Sequence, residues 1–399
     1  MKENLNTEIQ NLARKLFPEI REWRRHIHAH PELSFEEKET ARFVAGILNK
    51  LGIPFRDKVA GTGIVAEIHG NTKGDKVFAL RADLDALPIQ EKNEIPYASK
   101  IPGRMHACGH DVHTAVLLGA AAILAENKNS FNGTVRLIFQ PGEEKLPGGA
   151  SLMIAEGVLE NPVPSGILAL HVFPSMEVGK VGFRQGMYMA STDELYLEVK
   201  GKGGHAAMRN EYVNPLLITA EILKEVENKF ALNLPKDAPQ TVVAFGKIEG
   251  QGSTNIIPDS VLLEGTFRTL DEKWRHKVHT DLIQLCESTA HAMGGKAILR
   301  IESGYPALLN DEDLTGRIKK SAETLLGKEN VEELPLRMTA EDFAWYTHKI
   351  PGCFFRLGTG NSKLGITSGV HTPTFDIDEN ALITGASLMA WAAISELSD

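Results

Sequence analysis

Val77-Phe-Ala-Leu-Arg-Ala82, Thr114-Ala-Val-Leu-Leu-Gly-Ala-Ala-Ala-Ile-Leu-Ala-Glu126 and Thr134-Val-Arg-Leu-Ile-Phe-Gln140 read in turn as strand, helix and strand. The two short runs are apolar almost throughout, the pattern of strands buried on both faces. The longer run is interrupted by Gly119 and falls short of the ~20 apolar residues that span a bilayer, so it reads as a buried helix. Strand-helix-strand order of this kind builds a largely parallel sheet covered on both sides.

The same alternation extends outward. Residues 8–30 place Ile9, Leu12, Leu16, Ile20, Trp23 and Ile27 at helical spacing, and His30-Pro31 ends that helix. Glu36 to Leu51 reads as a second helix, stopped by Gly52 and Pro54, and Gly63 to Ile68 as another short strand. Beyond Pro306 the pattern resumes with helices over Leu314–Leu326 and Asn380–Leu397. Between these parts the character changes near Tyr188. Glu194–Lys200, Thr241–Glu249, Val261–Thr269 and Ala297–Glu302 read as strands, with helices over Asn214–Glu227 and Lys273–Met293. That β-α-β-β-α-β order is ferredoxin-like. The expected organisation is a layered α/β domain formed by residues 1–187 and 303–399, with an α+β domain of residues 188–302 inserted into it.

Bulk properties agree with two domains, because 399 residues exceed what one hydrophobic core usually supports. A net charge of -9 speaks against nucleic acid or a membrane surface as partner. The N-terminus lacks an apolar core followed by small residues, so no signal peptide is expected. Cys108, Cys286 and Cys353 form an odd, sparse set, which points to a reducing compartment, most simply the cytoplasm.

Polar clusters fall where parallel sheets place their sites, at the carboxyl ends of strands. Met105-His-Ala-Cys108-Gly-His110-Asp111-Val-His113 directly precedes the apolar helix. Asp111 as a helix cap explains one residue of it and leaves a thiol and two imidazoles, which are good ligands for zinc, cobalt, nickel or manganese. Asp83 and Asp85 end the first strand on one face, and such a carboxylate can hold a ligand histidine in its working tautomer. Glu143 and Glu144 follow the strand ending at Gln140, a place where one carboxylate can bind metal while the other moves protons. His171, in an otherwise apolar strand, and His371, in a loop, are each more often bland when taken alone. With Cys108, His110 and Glu144 they make five donors, a suitable number for two ions.

Five segments carry a family resemblance: Arg24-Arg-His-Ile-His-Ala-His30-Pro-Glu32, Arg81-Ala-Asp-Leu-Asp85-Ala-Leu-Pro, Met105-His-Ala-Cys108-Gly-His110-Asp, Gly142-Glu-Glu144 and His371-Thr-Pro-Thr-Phe-Asp-Ile-Asp-Glu379. Together they resemble the two-metal metallopeptidase family that contains aminoacylases, glutamate carboxypeptidases and dipeptidases, and most closely its amidohydrolase branch of N-acyl-amino-acid deacylases and hippurate hydrolases. The resemblance implies a zinc-peptidase-like three-layer α/β/α catalytic domain with an inserted ferredoxin-like lid that dimerises. It implies Cys108, His110, Glu144, His171 and His371 as ligands of two divalent ions (Zn, Mn, Co or Ni), with Cys108 bridging. By the same resemblance Glu143 is the general base and Asp85 the ligand-orienting aspartate, while Asp83 stands where other branches have a ligand histidine. His205, in Gly201-Lys-Gly-Gly-His205-Ala-Ala, corresponds to a catalytic residue that reaches the partner subunit's substrate, and Asn255 and Arg268 to substrate-contacting lid residues. Met208-Arg-Asn-Glu211 replaces the Pro-His pair usual after that motif. The implied activity is hydrolysis of the amide of N-acyl (acetyl or aryl) amino acids by metal-activated water. The alternatives are a dipeptidase or carboxypeptidase of the same family, or a non-catalytic metal-binding scaffold.

Overall fold

The computed structural model describes residues 2–398, which group into two compact units. The larger runs to Gly186 and also comprises Leu309–Pro335 and the residues from Asp342 onward. The smaller is Met187–Leu308 together with Leu336–Glu341. This last segment, expected with the larger part, joins the smaller because its backbone pairs there. Arg337 N–H donates to the Tyr188 carbonyl at 3.0 Å, and Ala190 N–H to the Arg337 carbonyl at 3.1 Å.

The larger unit is built on an eight-stranded sheet. Its strands lie in the order Phe55–Val59, Gly63–His69, Asn132–Gln140, Thr72–Asp83, Ile167–Glu177, Gly352–Gly360, Val181–Phe183, Val331–Glu333. The four from Asn132–Gln140 to Gly352–Gly360 are mutually parallel, whereas their outer neighbours Gly63–His69 and Val181–Phe183 pair with them antiparallel. The sheet is therefore mixed, with the expected parallel order at its centre. Gly352–Gly360 sits in that centre and was not anticipated. All nine of its residues are buried, so it has neither the alternation nor the β-branched richness that marks strands in a sequence.

The helix read as Thr114–Glu126 in fact begins at His110. Gly109 makes this start: its φ of 86° lies in the left-handed region, and a Cβ there would sit 2.6 Å from a Val172 methyl. The helix is buried from His110 through Leu124, as its all-round apolarity requires, and it packs against the equally buried helix Ala381–Leu397.

The smaller unit is a four-stranded antiparallel sheet in the order Thr241–Glu249, Ser260–Thr269, Asp193–Lys200, Lys296–Ser303. With helices Pro215–Glu227 and Glu272–Ala292 this is the ferredoxin-like arrangement. Asn214 and Asp271 cap the two helices, each accepting a backbone N–H of the first turn. Strand alternation points Leu195, Leu197, Val199, Val261 and Leu263 at Ile218, Ile222, Val278 and Leu282, leaving Glu198 and Glu264 outside.

Candidate active site

The carboxyl ends of the central parallel strands, with the start of helix His110–Glu126, bring the polar clusters of the larger unit together. Asp83 ends one strand, Glu143 and Glu144 follow the next, and His171 lies within a third. His371 arrives on a loop in a left-handed conformation (φ 61°), unusual for a residue other than glycine, with its N–H bonded to the Ala107 carbonyl at 2.7 Å.

Five donor atoms converge. Cys108 Sγ is 3.3 Å from His171 Nε2 and 3.3 Å from His371 Nε2. Glu144 Oε1 is 3.2 Å from His371 Nε2 and 3.9 Å from His110 Nε2. They form two close triads, Cys108/His110/His171 and Cys108/Glu144/His371, that share the thiol. His110 Nδ1 bonds Asp85 Oδ1 at 3.1 Å and His171 Nδ1 donates to the Val172 carbonyl at 2.8 Å, so in both rings Nε2 is left facing the cluster. His110 Nε2 and Glu144 Oε1 are buried and make no hydrogen bond, although the His371 ring lies near the carboxylate. Buried polar atoms without partners are costly, and divalent cations would satisfy both.

Electrostatics point the same way. Burial, then Glu144 and Glu143, push the Cys108 thiol well above its usual range. Burial opposes charging His110, yet Asp83, Asp85 and Glu144 outweigh it and raise that group to about 10. Burial and the nearby Arg356 hold His171 well below the ordinary histidine range. Acidic donors crowded around a reluctant thiol are the arrangement that bound cations reverse, by favouring thiolate and neutral imidazole.

Around this cluster lies a second set of buried side chains, most of them given no role by the sequence. Asp85 Oδ2 accepts the Ser34 hydroxyl at 2.6 Å and the Glu144 N–H at 2.9 Å. Asp83 bonds His113 Nδ1 at 2.6 Å and Arg81 at 2.6 Å, while His113 Nε2 accepts the Val172 N–H at 3.0 Å. Both ring nitrogens of His113 are thus engaged, and this histidine steadies the strand beside His171. Arg81 also donates to Gln140 and Asp342, and the Asp342 carboxylate accepts from Gln140 and the Ala150 N–H. Asp342 N–H in turn donates to the buried Glu143 carboxylate at 3.4 Å. The one signal for this set was proximity to the recognised motifs.

His205, Asn255 and Arg268 lie in the smaller unit. His205 and Asn255 are both exposed and adjacent across a two-stranded ladder, where Ala206 N–H donates to the Asn255 carbonyl at 3.0 Å. Arg268 is half-buried and donates to the Met338 carbonyl at 3.2 Å, and burial lowers its pKa.

Residues 79–394 match the family model described as peptidase family M20/M25/M40. The chain belongs to that family. It is an enzyme, a metal-dependent hydrolase of the M20 type. It is 40% identical over 376 residues to the N-acetyl-L-cysteine deacetylase of Bacillus subtilis, covering 94% of this chain and 87% of the relative. It is 38% identical over 383 residues to thermostable carboxypeptidase 2 of Saccharolobus solfataricus, covering 94% and 96%. Among solved structures, a dinuclear metal-binding peptidase of the M20 family from Bacillus subtilis superposes with a TM-score of 0.81 at 34% identity, covering 96% of this chain and 99% of that one.

Proposed function

We propose that this M20 enzyme hydrolyses the amide bond of N-acyl amino acids, releasing a carboxylic acid and a free amino acid. The observation that carries the proposal is the pair of donor triads sharing Cys108, with Glu143 beside them in the close group His110/Glu143/Glu144. Cys108, His110, Glu144, His171 and His371 would hold two divalent cations, the Cys108 thiol being common to both donor triads. Bound there, the cations would supply Lewis-acid charge to the scissile carbonyl and make a water molecule more acidic. Zinc, manganese, cobalt and nickel all suit a donor set of thiolate, imidazole and carboxylate.

The chain's own groups do the remaining work. Glu143 takes a proton from the attacking water as its oxygen bonds the carbonyl carbon, then returns that proton to the nitrogen as the C–N bond breaks. Asp85 keeps His110 oriented with Nε2 towards the cluster. Arg268 is the partner for the substrate carboxylate, since among the described residues no carboxylate pairs with it and its planar fork matches that group. His205 and Asn255 are assigned to the substrate's carbonyl and acyl end, with His205 acting in the site of a second copy, so that the working form is a homodimer through the smaller unit. The three cysteines are buried and unpaired, which supports a reducing, cytoplasmic setting.

The test is amine release from a panel of N-acetyl and N-benzoyl amino acids and dipeptides, after loading with each of the four metals and with a chelator control. Chelator-sensitive hydrolysis of acyl amino acids is expected. Preference for dipeptides would favour the peptidase reading, which has a relative named as a carboxypeptidase behind it.

A further inference from the structure

Behind the turn that carries Glu143 and Glu144 lies Ser34-Phe-Glu-Glu37, of which only Ser34 has appeared so far, as a donor to Asp85. Glu37 is fully buried. Its Oε1 accepts two backbone N–H groups, from Phe35 at 2.8 Å and from Gly142 at 2.8 Å, and its Oε2 accepts the Thr62 hydroxyl at 2.6 Å. One carboxylate oxygen thus ties its own loop to the residue immediately before Glu143. Phe35 makes the second link. Its backbone is left-handed (φ 68°), rare for an aromatic residue, and its ring lies 2.4 Å from where a Cβ on Gly142 would be. Gly142 is itself left-handed (φ 57°), and the ring occupies the space that any side chain there would need. Ser34 makes the third link, through Asp85 to the Glu144 N–H and to His110.

We infer that Glu37, assisted by Ser34 and Phe35, is a positioning residue for the hydrolysis, fixing the Pro141–Glu144 turn so that Glu143 meets the attacking water and Glu144 keeps its place among the metal donors. The inference rests on the amidohydrolase reading of the same site. Simple loop closure would be served by an apolar side chain; a buried carboxylate satisfied by neutral donors alone costs stability. Burial, with Asp85 nearby, lifts this carboxyl to about 7. Backbone N–H groups of two segments converging on one oxygen give a rigid anchor, and small displacements of a reacting group reduce rates steeply.

The test compares wild type with Glu37→Ala, Glu37→Gln and Ser34→Ala as full-length protein, reading kcat and KM separately, melting temperature, and the visible spectrum of the cobalt-loaded form. For Glu37→Ala, kcat should fall about tenfold or more with KM within about threefold, and the cobalt bands should shift because Glu144 moves with the turn. Glu37→Gln keeps a carbonyl oxygen for both N–H groups and should restore kcat and spectrum to near wild type. Ser34→Ala should lose roughly two- to fivefold in kcat. A folded Glu37→Ala with wild-type kcat and unchanged cobalt bands overturns the inference. Should that variant fail to fold, Ser34→Ala and Thr62→Val decide, and wild-type kcat and spectrum in both overturn it. If wild type itself is inert on every substrate, the functional reading fails, and the cobalt spectra of the variants still test the anchor.

Discussion

The residues assigned to metal and those assigned to substrate are held in opposite ways. In the larger unit four of the five donors are buried or half-buried, His371 being exposed, and most have a second partner: His110 has Asp85, His171 has the Val172 carbonyl, and Glu144 has Asp85 through its backbone. In the smaller unit His205 and Asn255 are exposed on a ladder of two short strands, and Arg268 makes a single hydrogen bond to a carbonyl. The difference follows from what each group must do. Metal donors tolerate little displacement and gain from a rigid, dry surround, whereas groups that receive varied acyl amino acids gain from access. On the proposed assignments the chemistry is built into the core of one unit, and the selectivity is left on the surface of the other.

The largest effect should come from emptying the metal pocket. Chelation, or Cys108→Ala, which removes the donor common to both triads, should abolish turnover and reduce bound metal below two equivalents by elemental analysis. Full activity in Cys108→Ala would break the contrast at its centre. Next, Glu143→Gln should leave metal content and melting temperature unchanged while kcat falls about a thousandfold, measured as amine release on the best panel substrate. On the smaller unit the response should be milder and of another kind. Arg268→Ala should raise KM for carboxylate-bearing substrates by roughly tenfold to a hundredfold, with less change for their methyl esters and little change in kcat. Equal losses for acid and ester would remove the carboxylate from its proposed partner.

The smallest effect concerns stability. Glu37 has a folded-state pKa of about 7, above the ordinary value of 4.5. A carboxyl raised in this way binds its proton more tightly when folded, so its contribution is fully present below 4.5 and is lost as pH rises through 7. In metal-free protein, wild type should therefore lose stability relative to Glu37→Gln between these limits, by at most about 3 kcal/mol, as read from urea unfolding at both ends. A difference between the two proteins that does not vary with pH would show that Glu37 titrates normally.

Legibility from sequence followed the distance over which residues act. The Met105–His113 cluster and the Glu143-Glu144 pair were readable because several ligand-type residues fall within a few positions of a strand end or helix start. His171 and His371 were readable only in combination, since an isolated histidine in a strand or loop looks bland. Asp83 was left open, and the structure shows it bonded to His113 and Arg81. Arg81–Asp342 and Glu37–Gly142 link residues 261 and 105 positions apart, and no local pattern announces such a pair. The central strand Gly352–Gly360 escaped for a related reason: burial on both faces removes the alternation by which strands are recognised.

By itself the sequence determined the two kinds of domain, the strand ends at which polar residues collect, and the chemical types of the donors. These depend on hydrophobic periodicity, on turn residues and on side-chain chemistry, all of which are local. Only the tertiary structure decided that both nitrogens of His113 are engaged and that Glu37 reaches the turn before Glu143. Those outcomes depend on which side chains meet across the sheet and on which buried polar atoms find partners, and both are set when the core closes.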